Sequence, residues 1–114
     1  HSFKSNCLST AYDFEIAIRD IHPGEELTDN YGYLNVSEPF KGIDEGTRRK
    51  TVYPDDLLNF HEAWDKKLIT NFPKIIEVDQ PLKSLVSPKL WKNINAIIAG
   101  KKTMKSIKEN YFAG

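Results

Sequence analysis

In the stretch DFEIAIRDI, Phe14, Ile16 and Ile18 alternate with Glu15, Ala17 and Arg19. Alternation with period two is the signature of a strand with one buried face. HPGEE follows and reads as a turn, because Pro23 fixes φ and Gly24 tolerates φ > 0. ELTDNY is read as a second short strand. Residues 36–53 carry neither period; they hold Pro39, Gly42, Gly46 and a basic cluster at Arg48, Arg49 and Lys50.

Beyond that point the period becomes helical. Leu57, Phe60 or His61, Trp64 and Leu68 recur on one helix face. Pro54 is placed at the first helical position, and Asp55 and Asp56 fall in the first turn, where negative charge meets the helix dipole. Pro73 is expected to end this helix or its continuation. SPKLWKNINAIIAG predicts a second helix, with Ser87 as N-cap, Pro88 at N1 and Gly100 just past the end. Leu90, Trp91, Ile94, Ile97 and Ile98 form its apolar stripe. A short third helix is expected after Thr103, with Met104, Ile107 and Tyr111 facing inward. The stripes are read as core. The expected class is α+β, a β and loop part followed by a helical part.

A chain of 114 residues, 39% hydrophobic and 28% charged, suits one small globular domain. No apolar run reaches the ~18 residues of a spanning helix, and no secretory signal is seen. One cysteine, Cys7, excludes an internal disulfide framework and a multi-cysteine zinc site. An intracellular protein is expected. The formal charge is zero but uneven: residues 83–114 hold seven lysines and one glutamate, a net +6, so residues 1–82 carry −6. The basic end is read as a solvated helix face rather than a nucleic-acid surface, and the acidic part as suited to a basic peptide. No glycine-rich phosphate loop, HExxH, serine elbow or cysteine pair is present. His22 and His61 are isolated. As residues alone, Glu25 and Glu26 read as turn charges, and Tyr31 and Tyr33 as two phenols flanking Gly32.

Two stretches taken together carry a family resemblance. HSFKSN at residues 1–6 is similar to the latter part of the SET-domain motif RFxNHSCxPN, through His1, Ser2 and Asn6. About twenty residues on, FEIAIRDIHPGEELTDNYGY resembles the other SET signature, a strand followed by xxGEELTxDY, with Gly24, Glu25 and Glu26 in the GEE positions. Order, spacing and residue types agree over residues 1–35. The rest, notably TVYPDDLL and EVDQPLKSL, looks like the helical C-terminal extension of microbial SET proteins. The resemblance implies the carboxyl-terminal, pseudoknot portion of a SET domain (a β-clip) in residues 1–35. It also implies an irregular connector at 36–53 in the post-SET position and a helical extension at 54–114.

The resemblance further implies a protein-lysine methyltransferase that uses S-adenosylmethionine, with a protein or peptide lysine as substrate. Tyr31 matches the family's catalytic tyrosine. A phenol of pKa ~10 is a poor base near neutrality, so orientation and electrostatics are its expected role. Tyr33 falls where relatives place an aromatic wall of the lysine channel. His1, with Ser2 and Tyr31, is expected at the cofactor. Asn6 is expected to hold the motif by side-chain hydrogen bonds, with Gly24, Glu25 and Glu26 as motif structure.

The sequence departs from the family in three places. The amino-terminal half of a SET domain is missing, so the isolated chain is expected to be inactive and to need that half, from the same longer chain or a second one. The post-SET cysteines are absent, and Phe3 stands where relatives place a further zinc ligand, so no metal is expected. Asp29 occupies a position that is aromatic in many relatives, which leaves the degree of methylation open. The alternative reading is a catalytically silent SET-like module that binds a protein or peptide.

Overall fold

Cys7–Ser9 (β1) and Glu15–Ala17 (β2) pair antiparallel, with Leu8 opposite Ile16. That register puts both apolar side chains on one face, and both are buried. Phe40–Lys41 (β3) and Thr51–Val52 (β4) form a second antiparallel pair. Asp56–Asn71 (α1) and Pro88–Ile98 (α2) are the two α-helices. The computed structural model describes residues 1–113, and among them these elements make an α+β chain.

One cluster unites the parts that the hydrophobic periods separate. Leu8 and Ile16 from the strands meet Tyr33, then Leu57, Trp64 and Leu68 of α1, and Ile107 near the carboxyl end. Leu57, Leu68 and Ile107 are completely buried. Burial of each such side chain contributes roughly 1.5–3 kcal/mol relative to exposure. Residues from 1–35 and from 54–113 thus share one core cluster.

Asp65 of α1 determines how the end of the chain docks. Its carboxylate accepts from the Ser106 hydroxyl at 2.6 Å and from the Ile107 N–H at 2.8 Å. Those bonds seat Ile107 in the core. Asn110 and Asn35 extend the seam: Asn110 Nδ2 donates to the Thr10 carbonyl and Asn35 Nδ2 to the Asn110 carbonyl.

Several local expectations change in detail. Glu26–Asn30 is not a strand. It runs beside residues 2–7 through the Ser2 and Cys7 N–H groups, which donate to the Asp29 and Thr28 carbonyls. Between those bonds the Asn6 side chain occupies the places a backbone ladder would use. Helix α1 begins at Asp56, so Pro54 precedes the N-cap residue Asp55. Its face uses Leu57, Trp64 and Leu68, while Phe60 is 39% exposed. Pro73 sits in a 3-10 turn, Phe72–Ile76, that follows α1 directly. The segment after Thr103 yields one 3-10 turn, Ile107–Asn110.

Helix α2 has the predicted boundaries. Ser87 Oγ accepts from the Leu90 N–H, and Gly100 closes the end at φ 75°. Its stripe is only half core, since Ile94 alone is buried. Trp91 and Ile94 line an apolar groove of about 710 Å³, shared with Ile18, Ile75 and Val86. No helix among the described residues is long and apolar enough to cross a membrane.

Candidate active site

Asn6 holds the two motif segments together. It is 1% exposed. Its Nδ2 donates to the Glu26 carbonyl at 2.8 Å, and its Oδ1 accepts from the Thr28 N–H at 2.9 Å. The Asn6 N–H donates to Thr28 Oγ1, and the Asn6 carbonyl accepts from Ile18. A side-chain amide has a donor and an acceptor on one rigid plane, which suits this two-way link.

That link brings His1 beside Tyr31. The Tyr31 N–H donates to His1 Nδ1 at 3.0 Å. Phe3, Tyr31 and Phe40 surround the imidazole edge-on, with centroids 4.5, 5.5 and 5.5 Å away. Gly42 approaches so closely that a Cβ there would lie 3.2 Å from His1 Nε2. This nitrogen is buried and has no hydrogen-bond partner among the described residues. A buried ring nitrogen without a partner is costly, and such sites are where a ligand or water is needed.

Tyr31, Gly32 and Tyr33 form a single 3-10 turn capped by Asn30, whose Oδ1 accepts from the Gly32 N–H at 2.9 Å. A turn of this pitch sends the two phenols in different directions. Tyr31 is 40% exposed. Tyr33 is 2% exposed and packs edge-on against Trp64, centroids 5.4 Å apart. Its hydroxyl donates to Asp29 Oδ1 at 2.6 Å and lies 2.8 Å from the Cys7 carbonyl. Burial first, and the Asp29 carboxylate second, push the Tyr33 phenol far above its ordinary value. Tyr33 is the residue that the resemblance puts in a lysine-channel wall. The ring is a core side chain that only borders a shallow cleft with Ser9, Glu15 and Asn35.

Ser2 is buried and tied to the connector. Its hydroxyl donates to Glu45 Oε2 at 2.5 Å, and the Phe3 N–H donates to Oε1 at 2.9 Å. These two bonds, the hydroxyl's first, hold the Glu45 carboxyl below its ordinary value of 4.5. A depressed carboxyl pKa contributes stability above the unfolded value and loses it as pH falls through the folded one. Acidification below about pH 4.5 is thus expected to loosen the connector from residues 2–3. The Phe3 amide resonance, followed through an acid titration, checks this, and Glu45→Gln should abolish the transition.

Gly24, at φ 91°, makes the turn after β2, and Glu25 pairs with Arg19 at 2.8 Å. Glu26 takes part through its backbone carbonyl. The turn-charge reading of these acids fits their exposed positions. No group of three or more metal-ligating side chains lies together among the described residues.

Three participants, Arg49, Asp56 and Glu45, escaped the sequence reading. Arg49 looked like one of a basic cluster, and Asp56 like a helix-start charge. They form an ion pair at 2.7 Å, with Asp56 1% exposed. A buried acid beside a helix start has no period of its own to reveal it. Glu45 likewise carries no pattern.

No family model matches this chain, and comparison with curated proteins and with solved structures found no match.

Proposed function

We propose that this chain is the carboxyl-terminal part of a SET-domain protein-lysine methyltransferase, with S-adenosylmethionine as methyl donor and a protein or peptide lysine as acceptor. The observation that carries the reading is the hydrogen bond from Tyr31 N–H to His1 Nδ1, which joins the two motif ends. The Asn6 bonds to Glu26 and Thr28 support the same pairing of segments.

The residues that would meet the cofactor's flat adenine ring are those around His1. His1 Nε2 is a buried polar atom in want of a partner, and Phe3 and Phe40 supply aromatic walls. When bound, the cofactor would supply an electrophilic methyl on a sulfonium. His1, Phe3 and Phe40 would hold the ring and exclude water. Tyr31, 40% exposed, would orient the reacting amine or methyl by its hydroxyl. Lysine must be neutral to react, and a dry site lowers its pKa from ~10.4. Tyr31 then acts by position and dipole rather than as a base.

The test is made on the protein joined to the preceding half of its SET domain. It should transfer methyl to a peptide lysine, and Tyr31→Phe should slow transfer about 10²-fold, the usual loss for one transition-state donor. An unchanged rate would remove Tyr31 from the role. Failure to bind S-adenosylmethionine would favour the silent peptide-binding module.

A further inference from the structure

Arg49 and Asp56 lie at the centre of a closed ring of contacts around the Tyr31 backbone. On one side, a Cβ built on Gly32 would come within 2.8 Å of Asp56 Oδ2, so the carboxylate rests against the residue after Tyr31. On the other, the Tyr31 N–H is bonded to His1. Arg49 connects the two sides. It donates to Asp56 Oδ2 and to the Thr51 carbonyl, and its guanidinium lies 5.3 Å from the Phe3 ring centroid. Phe3 in turn packs edge-on against His1. The guanidinium also lies 4.1 Å from the ring centroid of Phe60 in α1. The Tyr53 N–H also donates to Asp56 Oδ2.

We propose that Arg49 and Asp56 are positioning residues that fix Tyr31 relative to His1, and so couple the connector and the helical extension to the site. A planar cation suits this work. It bonds a carboxylate in its plane and stacks aromatic rings on its faces, which an ammonium cannot do at once. The carboxylate on Gly32 and the stacked ring on Phe3 make one rigid path, so loss of either end frees the turn. Residues 49 and 56 reach no reacting atom themselves. The inference rests on the assignment of Tyr31 as the reacting centre for its functional meaning, but its geometry is tested without cofactor or transfer.

The experiment compares Arg49→Gln, Arg49→Lys and Asp56→Asn in the 114-residue chain by ¹⁵N NMR and amide exchange. In Arg49→Gln, exchange at the Tyr31 N–H should rise at least about tenfold, the value of one hydrogen bond of ~1.4 kcal/mol. The His1 Nδ1 resonance should shift with it. Protection in α2 should stay unchanged. Arg49→Lys should restore the contact with Asp56 but not the stacking on Phe3, giving a partial effect. Unchanged Tyr31 exchange and His1 shifts in folded Arg49→Gln or Asp56→Asn would overturn the proposal. A uniform loss of protection across α1 and α2 would also overturn it, by showing a general stabilising role. If the Gln and Asn variants do not fold, Arg49→Lys decides by the same two signals. Failed methyl transfer by Tyr31→Phe tests the functional reading separately, so either result stands without the other.

Discussion

Asn6→Ala is expected to destabilise the chain by about 2–4 kcal/mol, read as a lowered urea midpoint. The substitution removes the Nδ2 bond to the Glu26 carbonyl and the Oδ1 bonds to the Thr28 N–H and hydroxyl. It adds no group that could replace them. A partner left unpaired costs up to roughly 1–3 kcal/mol when water cannot reach it, and these bonds are part-buried. Asn6 is 1% exposed, so water cannot easily fill the gap. Against a typical total of 5–15 kcal/mol, the loss is large. Asn6→Asp keeps the acceptor for Thr28 but sets a carboxylate oxygen against the Glu26 carbonyl in a buried site, so it should also lower the midpoint. An unchanged midpoint in Asn6→Ala would show that the cross-link adds nothing net. The effect should also reach the site: with residues 2–7 released from 26–29, the His1 to Tyr31 bond loses its support.

Gly32→Ala is the second large effect, expected to cost about 1–3 kcal/mol by overpacking. The added methyl would stand 2.8 Å from Asp56 Oδ2, 3.0 Å from Asn30 Oδ1 and 3.0 Å from Trp64 Cη2. None of the three neighbours can move cheaply. Asp56 is held by Arg49 and the Tyr53 N–H, Asn30 caps the turn, and Trp64 is core. The upper part of that range is expected for this reason. Thermal unfolding and Trp64 fluorescence read the change, and a stability equal to wild type would show that the turn yields easily. The glycine between the two tyrosines is thus required by crowding, not by a left-handed φ.

How legible these features were depends on how local each one is. Helix α2 was readable to its ends, because Ser87, Pro88 and Gly100 act within one turn of where they sit. The inward face of β2 followed from Phe14, Ile16 and Ile18, although the regular strand is short and its partner β1 was not foreseen. For Asn6, only the family resemblance of the two stretches implied side-chain hydrogen bonds; the residue itself carries no such signal. The different fates of Tyr31 and Tyr33 were not readable. Both flank one glycine, and only the pitch of the 3-10 turn and the position of Trp64 send one phenol out and the other into the core. The roles of Arg49, Asp56 and Glu45 were hidden for the same reason. A charged side chain carries no period, and its partner is chosen by the fold.

The sequence by itself determined the α+β class, the helix α2 with its caps and part of the apolar core: Ile16, Leu57, Trp64, Leu68, Ile94 and Ile107. Those are matters of local propensity and of hydrophobic period, which act over a few residues. Tertiary structure alone decided that Tyr33 is core, that Glu45 holds Ser2 and Phe3, that Asp56 is buried against Gly32 and that His1 Nε2 is left without a partner. Burial and pairing of a polar group are set by what other segments bring to it. For Glu45 and Ser2 that partner is 43 residues away, a distance over which no pattern in the chain carries information.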